Sequence, residues 1–230
     1  MTFKKVLSFF LTGATALSVT TTAFAADTEV VLPDDVSSQE WYAPAVRYVL
    51  EYDLMDVGTP DNGDVIFQPG RVISRQEVAD AIYRSAKLFD EKLIADAAGM
   101  GIREMADYAD IGQSYYDAMT FCFNSGILTG SGRKLNPGKS ITRQEFATVL
   151  TRYMKLLEKY GLTETIPGDG MAARAFADGA QIQPWAADGV SFCLKNGLMR
   201  GTSANYFTPN GSITRAQLAQ VLNNISPDAD

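Results

Sequence analysis

The stretch "ITRQE" at 141–145 has a near-copy on either side, "ISRQE" at 73–77 and "ITRAQ" at 213–217. Aligning the three on their arginines extends the likeness upstream. Phe67-x-Pro69-x3-Ile73-x-Arg75, Leu135-x-Pro137-x3-Ile141-x-Arg143 and Phe207-x-Pro209-x3-Ile213-x-Arg215 share one spacing. Self-similarity at a fixed period is the signature of a repeat architecture, in which each unit buries its apolar face only against its neighbours.

The hydroxyl and the Gln/Glu of the motif have a local explanation. Ser74-x-x-Glu77, Thr142-x-x-Glu145 and Thr214-x-x-Gln217 are capping boxes, in which the hydroxyl accepts from the N3 amide and the longer side chain reaches back. The residues that follow repeat with helical period: Phe146, Val149, Leu150, Tyr153, Met154 and Leu157 form one stripe. Val78, Ala81, Ile82, Ser85 and Phe89 repeat it in copy one, and Leu218, Val221, Leu222 and Ile225 in copy three.

Ahead of each motif the pattern predicts a shorter amphipathic helix, carried by Val46 and Val49, by Met119 and Cys122, and by Val190 and Cys193. In copies two and three it runs into Gly126-x3-Gly130 and Gly197-x3-Gly201, the first glycine of each suiting a left-handed helix C-cap. Copy one has Asp53 and Val57 there instead. Each unit is therefore a helix–loop–helix repeat and the fold class all-α. Near the unit starts stand Asp34, Asp110 and Asp178; Trp41 and Trp185 follow the first and third, and Ser114 replaces the tryptophan in copy two.

The cap does not explain the arginine. At N1 the helix dipole disfavours a cation slightly, yet an arginine stands there three times. A guanidinium beside free helix N-terminal amides forms a compact anion site that can grip a carboxylate or phosphate.

Composition narrows the classes. There is no histidine among the 230 residues, which removes the usual general base, the commonest zinc ligand and the Ser/His and Cys/His nucleophile pairs. Cys122 and Cys193 form no CxxC pair, and no metal or cofactor pattern is present. The formal net charge of −7 argues against nucleic acid as a partner. Lys4 and Lys5 precede an apolar run ending in Ala23-Phe24-Ala25, which reads as a signal peptide over 1–25. No later segment approaches the roughly 20 apolar residues of a membrane span, so an exported protein without a span is expected.

Taken together, Phe-x-Asp, a tryptophan, a helix ending in Gly-x3-Gly, Phe-x-Pro and the Ile-Thr-Arg motif resemble the S-layer homology (SLH) module. The resemblance implies three tandem modules over 26–100, 101–170 and 171–230, joined as a pseudo-threefold helical bundle. Grooves between modules of that family bind secondary cell-wall polysaccharide, commonly pyruvylated, so it implies a non-catalytic protein held at the bacterial cell wall. Carried over position by position, Arg75, Arg143 and Arg215 would meet the polymer's acidic group. Trp41 and Trp185 would pack a sugar face, Gly126, Gly130, Gly197 and Gly201 would let backbone approach the glycan, and Asp34, Asp110 and Asp178 would hold the acidic position.

Structural readings stand beside these. The tryptophans could seal the bundle, the aspartates could cap turns, and the glycines could serve as helix stops. Because copy three keeps both its tryptophan and its glycines, Arg215 is expected to contribute more to binding than Arg75. The alternative function is an adaptor whose degenerate repeats dock another surface protein. A glycosidase would need an Asp/Glu pair across a cleft, and nothing in the sequence places one.

Overall fold

The computed structural model describes residues 30–60, 63–97, 99 and 101–226, so the signal-peptide expectation lies outside the described residues. The α-helices are α1 (Ala43–Glu51), α2 (Arg75–Phe89), α3 (Lys92–Ala95), α4 (Tyr116–Asn124), α5 (Arg143–Lys159), α6 (Pro184–Lys195) and α7 (Arg215–Asn224). Short 3-10 turns join them, and among the described residues there are isolated β-bridges but no strands. The chain is all-α, and no described helix is long and apolar enough to cross a membrane.

Helices α2, α5 and α7 each begin on the motif arginine, with Ser74, Thr142 and Thr214 as N-caps and the reciprocal capping box complete in all three. The segments leading into them meet at the centre of the molecule. Ile73 N–H donates to the Ile213 carbonyl (3.0 Å), Ile213 N–H to Ile141 (3.2 Å) and Ile141 N–H to Ile73 (3.2 Å), closing a ring of backbone bonds. A second ring surrounds it: the amides of Arg75, Arg143 and Arg215 donate to the carbonyls of Lys139, Gly211 and Arg71.

Helix packing follows the same order. The first helix of each copy lies against the second helix of the copy before it: α4 on α2, α6 on α5, and α1 on α7. No copy thus completes its own core. Val46, Ile73, Met119, Ile141, Val190 and Ile213, drawn from all three copies, belong to a single buried cluster. Further along the motif helices, Tyr153 of α5 is fully buried and its hydroxyl lies 2.9 Å from Ser85 Oγ of α2.

Cys122 and Cys193 stand in α4 and α6 where α1 has Val49, and both are buried free thiols. The Cys193 thiol points at the Ala147 carbonyl 3.4 Å away, across the α5–α6 contact. The site thus accepts a small apolar group on the face that meets the preceding copy.

Candidate binding clefts between copies

Each motif arginine leaves its own copy. Arg75 donates from Nε to the Leu135 carbonyl (2.8 Å) and from Nη2 to Thr129 (3.0 Å), both in copy two. Arg143 does the same to Phe207 (2.7 Å) and Arg200 (2.6 Å) in copy three. Arg215 returns to copy one, bonding the Phe67 carbonyl at 2.6 Å and the carbonyl of Asp56. All three are buried, and burial draws their pKa below the ordinary guanidinium value. For Arg75 the field of Glu145 and Asp107 pulls the other way, and for Arg143 that of Asp178. Among the described residues, Nη1 of each is the nitrogen left without a hydrogen bond to protein.

This geometry corrects one part of the anion-site expectation: the helix N-terminal amides are not free. In α2 the N1 amide is held by Lys139, the N2 amide by Pro137 and the N3 amide by Ser74 Oγ, and α5 and α7 repeat the arrangement. The neighbouring turn supplies the carbonyls, so the first-turn donors are consumed in joining copies. Anion capacity falls to the side chains.

Each arginine lines a cleft. The first holds Arg75 and measures about 560 Å³; the second holds Arg143 and measures about 550 Å³; the third holds Arg215 and measures about 190 Å³. Three copies contribute to the first, which takes Arg75 from copy one, Thr129 and Gly130 from copy two and Trp185 from copy three. The second likewise joins Arg143, the Gly197–Thr202 turn and Trp41. Trp185 is 57% and Trp41 60% exposed, so neither ring seals the core and both stand at cleft rims. The third cleft has Tyr115 at its rim, one residue beyond Ser114, an aromatic that reading one copy at a time passes over.

Charge separates the three further. In the third cleft Arg71 pairs with Glu77 (2.5 Å), and Arg84 beside it pairs with Asp53, Asp56 and Asp80 at 2.9 to 3.1 Å. In the first, Arg152 and Lys139 occupy the positions of Arg84 and Arg71, and Lys134 joins them, with Glu145 the one carboxylate among the described lining residues. Extending the repeat alignment nine residues beyond the motif arginine would have revealed the Arg84, Arg152 and Asn224 series. The lysines had no such signal. The pairing of Arg215 with the loop of copy one, not with the glycines of copy three, also removes the ground for ranking it above Arg75.

The aspartate positions need shifting. Asp178 accepts from the amides of Phe207 (2.9 Å) and Thr208 (2.7 Å), and the equivalent bonds are made by Asp107 to Leu135 and Asn136 and by Asp35 to Phe67 and Gln68. Asp34 is adjacent to the equivalent residue, Asp35, and Asp110 stands three residues after its own, Asp107. The carboxylate's task is to clamp the Phe-x-Pro turn, whose middle residue is left-handed in every copy: Gln68 at φ 57°, Asn136 at 52° and Thr208 at 57°. Burial pushes the Asp107 carboxyl up, but its backbone hydrogen bonds outweigh this and hold it below the usual range.

The second glycine of each pair is explained by packing within its own copy. A Cβ on Gly130 would lie 2.7 Å from the Lys134 carbonyl oxygen, and one on Gly201 2.5 Å from that of Ser203. Gly126 and Gly197 are left-handed at φ 69° and 68°, the conformation Asp53 adopts at 51° in copy one. All but Gly126 also border a cleft.

These features have counterparts among known proteins. The family model of the S-layer homology domain matches residues 107–147 and 175–219, which lie in copies two and three. It is 27% identical to the Surface-layer 125 kDa protein of Lysinibacillus sphaericus over 96% of this chain and 17% of that protein. It is 24% identical to the S-layer protein of Bacillus thuringiensis subsp. finitimus over 96% of this chain and 24% of that protein. Amylopullulanase of Thermoanaerobacterium thermosulfurigenes is 27% identical over 69% of this chain and 8% of the enzyme. The chain thus spans less than a quarter of the length of each of these relatives. The likeness indicates a secreted, cell-surface-associated protein.

Proposed function

We propose that the chain holds itself at the bacterial cell wall by binding an acidic secondary wall polysaccharide, of the pyruvylated kind, in the clefts between its copies, and that it catalyses no reaction there. The observation that carries this reading is the crossing of the motif arginines. Each places a guanidinium, fixed by two carbonyls of the next copy, at the floor of an inter-copy cleft, and in two of the three an exposed tryptophan stands above it. A cation below and an aromatic face at the rim suit a sugar bearing a carboxylate.

On the same reading, 26–100 is a third, diverged SLH module beside those at 101–170 and 171–230, and the hub of paired isoleucines is the axis of a pseudo-threefold bundle. Support for the first module comes from Asp35, Phe67 and Arg75, which make the bonds that their counterparts make in the other copies.

Co-sedimentation with purified walls, before and after extraction of the secondary polymer, tests the proposal. Binding lost on extraction is the expected result. Undiminished binding to extracted walls that retain their surface proteins would favour the adaptor reading and overturn this one.

A further inference from the structure

We propose that the three clefts have diverged in the charge they accept, and that the first takes a ligand segment carrying at least two negative groups. This deepens, and rests on, the reading of the clefts as sites for an acidic glycan.

The argument compares equivalent positions. Two residues ahead of the motif isoleucine stand Arg71, Lys139 and Gly211; nine residues after the motif arginine stand Arg84, Arg152 and Asn224. Copy one has both cations, but Glu77 holds Arg71 and three aspartates hold Arg84. Copy three has neither, which leaves the second cleft with Arg143 and Arg200 among amide side chains such as Gln217, Gln220 and Asn224. Copy two has both and adds Lys134. Among the described residues no ion pair engages Arg75, Lys134, Lys139 or Arg152.

The nearby acids are already committed. Glu145 accepts from the Thr142 amide and hydroxyl, and Asp107, whose field reaches Lys134, clamps the amides of Leu135 and Asn136. Arg152 donates to Thr129 Oγ1 at 3.1 Å and to no carboxylate among the described residues. Four cations therefore converge on one cleft of a chain whose net charge is −7. A single sugar carboxylate is satisfied by one guanidinium. The surplus cations at Lys134, Lys139 and Arg152 complement a second anion on the same or the adjoining sugar, either carboxylate or phosphate.

Isothermal titration of the whole chain with amino-sugar disaccharides bearing one carboxylate, two carboxylates or two phosphates tests this. The doubly charged ligands should bind about tenfold more tightly than the singly charged one, the value of one charge-assisted contact. Lys134→Gln with Lys139→Gln, both exposed and outside any ion pair, should erase that margin, weakening the doubly charged disaccharides about tenfold and the singly charged one by clearly less. Arg152→Gln provides a second, independent removal of the surplus charge. The better of the two doubly charged ligands identifies the acidic group. Equal affinity for one and two charges, or a lysine variant that weakens both alike, would overturn the proposal and leave the glycan reading standing. Failure of every disaccharide to bind the wild-type chain would remove both.

Discussion

Arg215 donates its Nε proton to the carbonyl of Phe67 at 2.6 Å across 148 residues of chain, and its guanidinium carbon sits 4.5 Å from the centre of the Phe67 ring. Arg143 repeats the pair with Phe207, 4.7 Å from the ring centre, and Arg75 repeats the hydrogen bond with Leu135, where there is no ring. A residue proposed to contact ligand is thus also a joint between copies. The two roles share one side chain because a guanidinium has donors to spare: Nε and Nη2 are spent on carbonyls, and Nη1 is not.

Wall binding and stability should therefore separate along the series of arginines. Arg75→Ala and Arg143→Ala, in the large clefts, should each lower affinity for isolated walls by about tenfold or more, the loss of at least one charge-assisted contact. Arg215→Ala, in the small cleft with its internally paired cations, should bind walls nearly as wild type does. All three should melt at lower temperature, because each leaves two carbonyls of the next copy without their donor. Co-sedimentation below the melting point, set by circular dichroism for each variant, checks the order. A binding loss for Arg215→Ala as large as that for Arg75→Ala would show that the small cleft is occupied too.

The aspartate clamp supplies an acid-sensitive element. Asp107 has a folded pKa below its unfolded value, so its contribution is complete above the unfolded pKa of about 3.9. It is lost as pH falls through the lower folded value. Asp107→Ala should cost about 3 kcal/mol, for two hydrogen bonds to a charged acceptor and a left-handed turn left unclamped. Denaturant unfolding of wild type and variant between pH 6 and pH 3 should show the gap narrowing as acid protonates the wild-type carboxyl. A gap that stays constant would mean that packing, not charge, accounts for the loss.

Alkali should act through the opposite sign. Burial pushes the Cys193 thiol up to about 12, and raises Cys122 and the Tyr153 hydroxyl as well. Groups with raised folded pKa stabilise the fold fully below their unfolded values, about 8.5 for cysteine. That stability is lost as pH climbs from there through the folded pKa. Cys193→Val, which copies the residue that copy one carries at Val49, should change stability at pH 7 by under about 1.5 kcal/mol and flatten the decline between pH 8.5 and 10. Alkylation should label neither thiol in the native protein and both after unfolding without reductant; no label after unfolding would reveal a bridge.

How much of this is legible in the sequence depends on whether a feature stays within one copy. The capping boxes, the helical stripes and the left-handed glycines after α4 and α6 use residues a few positions apart, and the pattern determines them. The clefts cannot be read that way. Arg143 lines a cleft with the glycines of copy three and the tryptophan of copy one, while Arg215 lines one with residues of copy one, so the features of copy three do not sum into a single cleft. Asp34 and Asp110 stand out over Asp35 and Asp107 for a similar reason: local spacing offers several acids, and the choice is made by amides about thirty residues downstream. Ion pairing is legible in part: Asp80 stands one helical turn before Arg84 where Thr148 stands before Arg152, whereas Asp53 and Asp56 reach Arg84 from a distant loop with no local signal.

The interlocking of copies gives the last prediction. Deleting residues 161–230 removes α6 from α5 and α7 from α1, leaving the apolar faces of both remaining helices uncovered. It also opens both rings, because Ile213 and Gly211 no longer accept from Ile73 and Arg143. The buried Arg143 would lose both carbonyl partners, Phe207 and Arg200, and a buried charge without partners is strongly destabilising. Two copies cannot offset these losses, since a unit of two short helices buries too little surface by itself. The fragment should show little fixed helicity, no sharp heat-absorption peak and no wall binding, although Arg75 and the residues of copies one and two that border the first cleft all remain. Copies that folded independently would instead keep their helicity and roughly two-thirds of the heat of unfolding, in proportion to length. A cooperative melt of that size from the fragment, followed by calorimetry and circular dichroism, would show that the joints through Ile213, Arg143 and Arg215 do not hold the molecule together.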